Sequence, residues 1–389
     1  MPRLLHMADV HLGARHDDLG DAAAQQRERQ FAAYRRAVDI ALERAVDLVL
    51  ISGDLFDSNH QPRRSVDRAV GELTRLTDEG IRVVLIPGTH DCYEAGSIYR
   101  VFDLPALAGL PAGSDLLTVL TPDRSEVAFD ELDTIVHGRV FATKRAPESP
   151  LAGFTARDDG PRWRIGLIHG SVAVPGRFET DDVLVTEEEI AASGLDYLAL
   201  GHWHSFRQGR AGSTTWAYAG APEPVAVDQD GAGQVVVVGL SESQGTREVR
   251  LEPVAVGRTT FRKLQIQGGD IDSQDELVRR LREEADPDLV LDVRLVGVLA
   301  RSVDLHEDEV TRELAPSFLR FRLRNMAVPE LPAEPLPPAD TIVGAFIRDL
   351  EARIAAAEAA GSDDVASETR DALHLGRLLM EDPQRVTLV

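Results

Sequence analysis

The chain contains a single cysteine, Cys92, and only two lysines, Lys144 and Lys263, among its 389 residues. One cysteine excludes an intramolecular disulfide and favours a reducing compartment, so we expect a cytoplasmic protein. The sequence also lacks an apolar run of the about 20 residues that a membrane-spanning helix needs, and it lacks a signal-peptide pattern at its start. We therefore expect no membrane association.

Positive charge is scarce, since 42 lysines and arginines face 65 aspartates and glutamates, which gives a net charge of −23. A surface of this sign repels polyanions and argues against a protein that binds nucleic acid by phosphate contacts alone. Bound divalent cations can reverse the sign locally, so a nucleic-acid site of that kind stays open. The length exceeds that of one ordinary core and predicts two or three domains.

The sequence is rich in one recurring unit, an apolar run that ends in a tight turn with a histidine or a carboxylate. In the central example, the apolar run of residues 48–51 predicts a buried strand, and Gly53 lets the chain turn before Asp54. Open α/β sheets keep their ligands at the carboxyl ends of such strands. Five stretches of this design supply Asp9, His11, Asp54, His90, Asp91, His169, His202 and His204.

These residue types indicate a metal centre. Asp9 and His11 lie two residues apart in an extended segment, so both side chains can face one ion. Histidines and carboxylates without cysteine suit zinc, manganese or iron rather than a thiolate zinc site. A lone histidine is usually a hydrogen-bonded surface residue, but five of the eleven histidines fall at strand ends together with three acids.

The pattern of the chain changes near residue 258. Residues 1–257 predict one α/β domain, 258–328 a small α/β capping domain, 329–340 a stiff proline-rich linker and 341–389 a helical tail. Two short amphipathic helices bury little by themselves, so we expect them to dock on a partner protein, with packing on this chain's own core as the alternative. Arginines alternate with apolar residues in 318–325, and they either face solvent or form a basic stripe toward DNA phosphates or an acidic partner.

Six motifs of the chain form a set. They are Asp9-Val-His11-Leu-Gly13, Gly53-Asp-Leu-Phe-Asp57, Gly88-Thr-His-Asp91, His169-Gly170, Gly201-His-Trp-His204 and Tyr218-Ala-Gly-Ala-Pro-Glu223. As a set they resemble the motifs of the calcineurin-like metallophosphoesterases, and their longer forms look like the SbcD-type DNA repair exonuclease branch, including its YhaO-like members. The resemblance implies an α/β class of fold, a four-layered α/β/β/α sandwich followed by a small α/β cap and a C-terminal helical tail.

The resemblance implies a two-metal hydrolase. Manganese is the expected metal, with iron or zinc as alternatives. His90 would be catalytic, as a proton donor or a neutraliser of charge on the leaving oxygen, and Asp91 would orient its ring. One ion would be held by Asp9, His11 and His204, the other by His169 and His202, with Asp54 bridging the two.

Thr89 departs from the family pattern, which is Gly-Asn-His-Asp and uses the asparagine carbonyl oxygen as a ligand of the second metal. A threonine hydroxyl is shorter and a poorer neutral donor. We therefore expect the second site to bind metal more weakly or to recruit water, and Thr89→Asn to raise metal occupancy or hydrolysis. Two equally tight ions in the unmodified protein would count against this expectation.

The expected function is that of a DNA exonuclease and endonuclease subunit in an SbcCD-like complex for DNA repair and recombination. Its partners would be DNA, an SbcC-like coiled-coil ATPase bound through the C-terminal helices, and a second copy of the chain in a homodimer. The acidic charge favours the ATPase partnership, because DNA capture would then fall largely to another subunit. The alternatives are a metallophosphoesterase for small molecules or nucleotides, and a structural subunit weakened catalytically by Thr89.

Overall fold

The structure is a computed structural model that describes residues 1–157, 160–173, 181–226, 229, 231–330 and 337–381. The chain divides into two compact units, Met1–Phe261 and a second unit that begins at Arg262. This boundary lies a few residues beyond the change in the sequence near residue 258. The finer division of the second unit into cap and tail stays a prediction, and half of the predicted linker, residues 331–336, lies outside the described residues.

The first unit is built on strands whose buried positions follow the sequence pattern. All five residues of the strand before Asp54 are buried, as expected of an apolar run in a central strand. In chain order the strands are β1 (Arg3–Met7), β2 (Leu48–Ser52), β3 (Arg82–Ile86), β4 (Leu117–Val119), β5 (Glu126–Phe129), β6 (Thr134–His137), β7 (Trp163–His169), β8 (Ser171–Val172), β9 (Leu184–Val185), β10 (Tyr197–Gly201), β11 (Arg207–Ala211), β12 (Thr214–Tyr218), β13 (Gln234–Ser243) and β14 (Thr246–Ala255).

Two six-stranded sheets form in the described part of this unit. The first sheet has the order β14-β13-β1-β2-β3-β4, and its strands β1 to β4 run parallel. The second sheet has the order β11-β12-β10-β7-β6-β5, with β12, β10, β7 and β6 parallel. The carboxyl ends of β1, β2 and β3 therefore meet at one edge of the first sheet, and those of β7 and β10 at one edge of the second.

Helices cover the outer face of each sheet. The helices of this unit are α1 (Ala23–Glu43), α2 (Arg63–Asp78), α3 (Ile98–Val101), α4 (Leu104–Leu107) and α5 (Glu187–Ala192). On β1, Leu5 and Met7 pack with α1 and α2, whereas Leu4 packs between the two sheets. On the second sheet, Leu198 and Leu200 pack with Ile190 of α5. This alternation produces the expected α/β/β/α layers.

The elements that follow β14 are β15 (Thr260–Gln267), α6 (Gln274–Arg282), β16 (Leu289–Val296), β17 (Val298–Leu299), α7 (Glu307–Leu314), β18 (Arg320–Asn325), β19 (Val328–Pro329), α8 (Ile342–Ala359) and α9 (Asp363–Glu381). The second unit has its own small core, in which α6 and α7 pack on a three-stranded sheet. The arginines that alternate along β18 are half-buried, and Arg324 Nη2 lies 3.0 Å from Asp292 Oδ2. In the helical tail, α8 and α9 meet where Phe346 contacts Gly376.

None of the helices in the described residues combines the length and the apolar composition that crossing a membrane requires.

Candidate metal centre

The turns that follow five strands meet at one place. The turn after β1 is joined to the turn after β2, because the backbone N–H of Asp9 donates to the Gly53 carbonyl at 3.1 Å and that of His11 to the Asp54 carbonyl at 2.9 Å. The two sheets are joined there as well, since His169 Nδ1 donates to the Ser52 carbonyl at 2.8 Å. The strand ends of both sheets therefore supply side chains to a common cluster.

One group of potential ligands consists of Asp9, His11 and His204, which offer ligand atoms within 4.8 Å of one another. The Nε2 atoms of His11 and His204 lie 3.1 Å apart. Two ring nitrogens that face each other at this distance can share one cation. This is the set expected for the first ion.

The second group consists of Asp9, Asp54 and His169, and all three are buried. Oδ2 of Asp54 lies 3.1 Å from His169 Nε2 and 3.8 Å from His11 Nε2. Oδ2 of Asp54 therefore lies between His11 of the first group and His169 of the second, as expected of a bridging carboxylate, and Asp9 belongs to both groups. Its other oxygen, Oδ1, accepts the backbone N–H of His90 at 2.7 Å.

His202 lies beside the second group. Its ring centroid is 5.2 Å from that of His169, and its backbone N–H donates to Asp9 Oδ1 at 2.9 Å. The structure thus brings together all six residues that the resemblance implies as ligands on aspartate or histidine side chains.

The backbone of this cluster is strained. Asp9, His11 and Asp54 have φ angles of 53°, 49° and 51°, and His202 has 98°. A left-handed backbone costs a non-glycine residue about 1–3 kcal/mol and is concentrated at functional sites. The placement of these four side chains therefore lowers the stability of the folded state.

A buried polar atom without a partner shows that the residues fit a cation. Within the described part of the chain, Asp9 Oδ2 is buried and makes no hydrogen bond. Nε2 of the buried His169 lies 3.1 Å from Asp54 Oδ2. Because the Ser52 carbonyl accepts from His169 Nδ1, Nε2 is the nitrogen whose lone pair a metal ion can use when the ring is neutral. An unpaired carboxylate oxygen and such an imidazole nitrogen in one buried site suit a divalent ion of the manganese, iron or zinc type.

The electrostatics of the cluster favour a cation. Burial raises the pKa of Asp9 to about 6. Burial also opposes ionisation of Asp54, but the imidazole of His169 outweighs it and the pKa of Asp54 is lowered. Burial lowers the pKa of His204 to about 3, whereas at His169 the carboxylates of Asp54 and Asp9 overcome burial and raise the pKa to about 10. The carboxylates that hold a proton on His169 can hold a metal cation in its place.

His90 and Asp91 have separate surroundings. His90 Nδ1 bonds to the Asp57 carbonyl at 3.0 Å, and half of its side chain is exposed. Asp91 is buried and accepts from the N–H of Gly88 at 2.7 Å and from the Tyr99 hydroxyl at 2.5 Å. In this structure the partner of the His90 ring is therefore Asp57, whereas Asp91 organises the turn that carries His90.

Asp57 is a further residue of the site, although it was not among the predicted metal ligands or catalytic residues. Its carboxylate lies 3.3 Å from His11 Nδ1 and 3.8 Å from His90 Nδ1. Its role could have been predicted from the sequence, because Asp57 is the last residue of the Gly53-to-Asp57 motif that also contains Asp54. Asp57 links the first group of ligands to His90.

Thr89 is buried and lines a narrow cavity of about 30 Å³ next to His169. Like His202, it is a predicted metal ligand that lies outside the two groups of potential ligands described above. The same cavity is lined by Lys144, one of the two lysines of the chain. Lys144 is exposed, so the acidic protein has positive charge at the edge of its candidate metal centre.

The layered sheets and the strand-end cluster together define the class of the protein as a metallophosphoesterase. The chain belongs to the calcineurin-like phosphoesterase family, whose profile matches residues 2–206. This match confirms the family that the motifs predicted, and members of the family use divalent metals.

Curated relatives are similar over parts of their length. The DNA double-strand break repair protein Mre11 of Aeropyrum pernix is 30% identical over 69% of this chain and 64% of the relative. The uncharacterized metallophosphoesterase YhaO of Bacillus subtilis is 26% identical over 51% of this chain and 48% of the relative. The Mre11 of Thermoplasma acidophilum is 29% identical over 56% of each chain. The matches thus span less than two thirds of these relatives.

Proposed function

We propose that the protein is a manganese-dependent DNA nuclease subunit with exonuclease and endonuclease activity. The observation that carries the proposal is the position of the Asp54 carboxylate between the buried His11 of one group of ligands and the buried His169 of the other. The names of the Mre11 relatives support DNA as the substrate class. The finer assignments, to DNA and to manganese, are the parts that experiments must test.

The residues divide into holders of the ions and groups that act on the substrate. Bound divalent ions activate a water molecule and neutralise charge on the phosphodiester oxygens. The side chains proposed to hold them are Asp9, His11 and His204 for the first ion, His169 and His202 for the second, with Asp54 shared between them.

His90 acts on the leaving oxygen in this proposal. With Nδ1 held by the Asp57 carbonyl, the half-exposed ring presents Nε2 to a substrate. An imidazole in this position can deliver a proton to the leaving oxygen or stabilise its charge. Asp91 supports this role indirectly, because it fixes the turn from which His90 projects.

A coiled-coil ATPase of the SbcC type is the proposed partner, with α8 and α9 as the docking segment. The net charge of −23 supports a division of labour in which another subunit captures DNA. Apolar side chains at the starts of both helices are exposed, among them Ile342 at 84% and Val365 at 53%. Such exposure suits a surface that a partner covers.

A nuclease assay with manganese on linear and hairpin DNA, with and without the copurifying ATPase, tests the proposal. We expect cleavage by the unmodified protein and a loss of about 100-fold or more in His90→Ala, with metal content unchanged. His306→Ala is the matched control, because His306 is an exposed histidine of the second unit. Hydrolysis of bis-p-nitrophenyl phosphate without cleavage of DNA, even with the ATPase present, would instead support a phosphoesterase of small substrates.

A further inference from the structure

Asp181 lies outside every motif of the family resemblance but contacts the candidate metal centre. Its Oδ2 atom is 3.1 Å from Nε2 of His202. A carboxylate accepts hydrogen bonds, so this contact puts the proton of the neutral imidazole on Nε2. The lone pair then belongs to Nδ1, which is the form of the ring that a metal ion can bind.

The carboxylate of Asp181 is itself held in place. The buried Ser171 hydroxyl donates to Oδ2 of Asp181, and the Trp203 indole donates to Ser171 Oγ at 2.7 Å. The backbone N–H of Asp182 donates to Oδ1 at 2.7 Å. Because an indole N–H only donates, the chain from Trp203 through Ser171 to Asp181 has a single direction. This fixed direction leaves Asp181 as the acceptor for His202.

A second potential metal ligand, His169, lies next to the ring of His202. The ring lies edge-on to that of His169, with 5.2 Å between the centroids and 82° between the planes. His169 is buried, its Nδ1 donates to the Ser52 carbonyl at 2.8 Å, and its Nε2 lies 3.1 Å from Asp54 Oδ2. Two adjacent imidazoles, each with its other nitrogen bonded to an oxygen, are prepared to bind the same ion.

We infer that Asp181 is the positioning residue of the second divalent ion. It acts through His202, by fixing the position of the proton and the orientation of the ring. It thereby compensates in part for the weaker binding of the second ion that Thr89 causes. The inference rests on the two-ion site of the proposed function. Loss of such an outer partner typically weakens metal binding by about 10–100-fold.

Manganese titration of the metal-stripped full chain tests the inference. Equilibrium dialysis gives the affinity of each ion, and electron paramagnetic resonance distinguishes an isolated ion from a coupled pair. For Asp181→Asn and Asp181→Ala we expect the second ion to bind about 10–100-fold more weakly, with the first ion unchanged within about twofold. The coupled-pair signal should then appear only at higher manganese concentration.

Asp182→Asn is the matched control, because Asp182 is the adjacent acid and pairs with Arg145 instead of His202. We expect it to leave both affinities unchanged. Asp181→Asn in a His202→Ala background should have no further effect, since Asp181 acts through that ring. A further loss in this background would make Asp181 a direct ligand and overturn the positioning role.

Three other results would overturn the inference. The first is that the affinity for the second ion stays within about twofold of the unmodified value in both Asp181 variants. The second is that these variants lower both the melting temperature of the metal-free protein and the affinity for the first ion. The third is that the unmodified chain binds only one ion. These readouts are independent of the substrate. A protein that shows the expected affinities but does not cleave DNA would refute the proposed nuclease function and leave the role of Asp181 intact.

Discussion

At the scale of single residues, the site depends on close approach between backbone and ligand. A Cβ atom at Gly88 would lie 2.2 Å from Oδ1 and 2.5 Å from the backbone nitrogen of Asp54. A Cβ atom at Gly53 would lie 2.4 Å from Nδ1 of His169. Because these neighbours are ligands or backbone, they cannot move aside without changing the geometry of the cluster. The glycines are therefore part of the metal centre although they offer it no ligand atom.

Gly88→Ala should displace Asp54 and weaken manganese binding by about tenfold or more, as expected when a bridging carboxylate loses its position. Isothermal titration of the metal-stripped protein measures this effect. Gly71→Ala is the matched control, because a Cβ at Gly71 of α2 meets no described atom within 4 Å. It should leave metal binding unchanged and stabilise the helix by about 1 kcal/mol. Normal metal affinity in Gly88→Ala would contradict the account.

The exposed Lys144 lies at the cavity next to His169 and Thr89. If DNA phosphates reach the metal centre, Lys144→Gln should weaken DNA binding and reduce the slope of log affinity against log salt by about 1. Lys263→Gln, which removes the other lysine, should change neither. Fluorescence anisotropy at several salt concentrations measures both quantities, and equal effects of the two substitutions would argue against DNA contact at Lys144.

The sequence predicted the aspartates and histidines of the cluster because each follows an apolar run that ends in a turn. It did not predict their supporting partners. Asp57 was within reach, since it belongs to a motif, but Asp181 lies in a loop without periodicity and contacts His202 only through the fold. The hydrogen-bond partners of Asp91, which are Gly88 and Tyr99, could not be predicted either, because they depend on the three-dimensional course of the turn.

At the scale of elements, the strand order explains why distant motifs meet. Strands β1, β2 and β3 are parallel neighbours, as are β7 and β10, so the turns after them lie at shared edges. The sequence predicted the strands that precede the site residues and the two tail helices, α8 and α9. It did not predict β14 or α7, because β14 is mostly exposed and α7 is only eight residues long.

The loop after β12, which contains Glu223, is hydrogen-bonded to the segment that follows β14. The carboxylate of Glu223 is buried and accepts the backbone N–H groups of Arg258 at 2.9 Å and Thr259 at 2.8 Å. Gln26 of α1 joins the same network, donating to the Pro224 carbonyl at 3.0 Å. Glu223 therefore ties this loop to the segment that leaves β14.

Glu223→Ala should lower the free energy of unfolding by about 1–3 kcal/mol, because it leaves the backbone N–H groups of Arg258 and of the buried Thr259 without their acceptor. Urea denaturation followed by circular dichroism measures the loss. Manganese affinity at low temperature should be unchanged, since Glu223 offers no ligand. A variant as stable as the unmodified protein would show that water replaces the carboxylate.

At the scale of the whole molecule, a net charge of −23 opposes DNA binding at long range, whereas the metal centre and Lys144 favour it locally. The proposed ATPase partner resolves this conflict by supplying the capture of DNA. Exposed apolar residues in the second unit give the partner a surface on which to dock.

Ile342→Asp should abolish capture of an SbcC-type coiled-coil ATPase in a pull-down, while leaving the fold and the hydrolysis of bis-p-nitrophenyl phosphate unchanged. Ile342 is 84% exposed, and an acid at the start of α8 suits the helix dipole. Val101→Asp is the matched control, because Val101 is 65% exposed in the first unit. Equal capture by both variants would remove α8 from the proposed interface.

The most direct test of the metal centre is anomalous diffraction at the manganese edge from crystals of the full chain. The account predicts two peaks on either side of Asp54, one among Asp9, His11 and His204 and the other beside His169 and His202. The second peak should be weaker, because Thr89 supplies no carbonyl ligand. A map without manganese at these strand ends, or with a single ion elsewhere, would contradict the account.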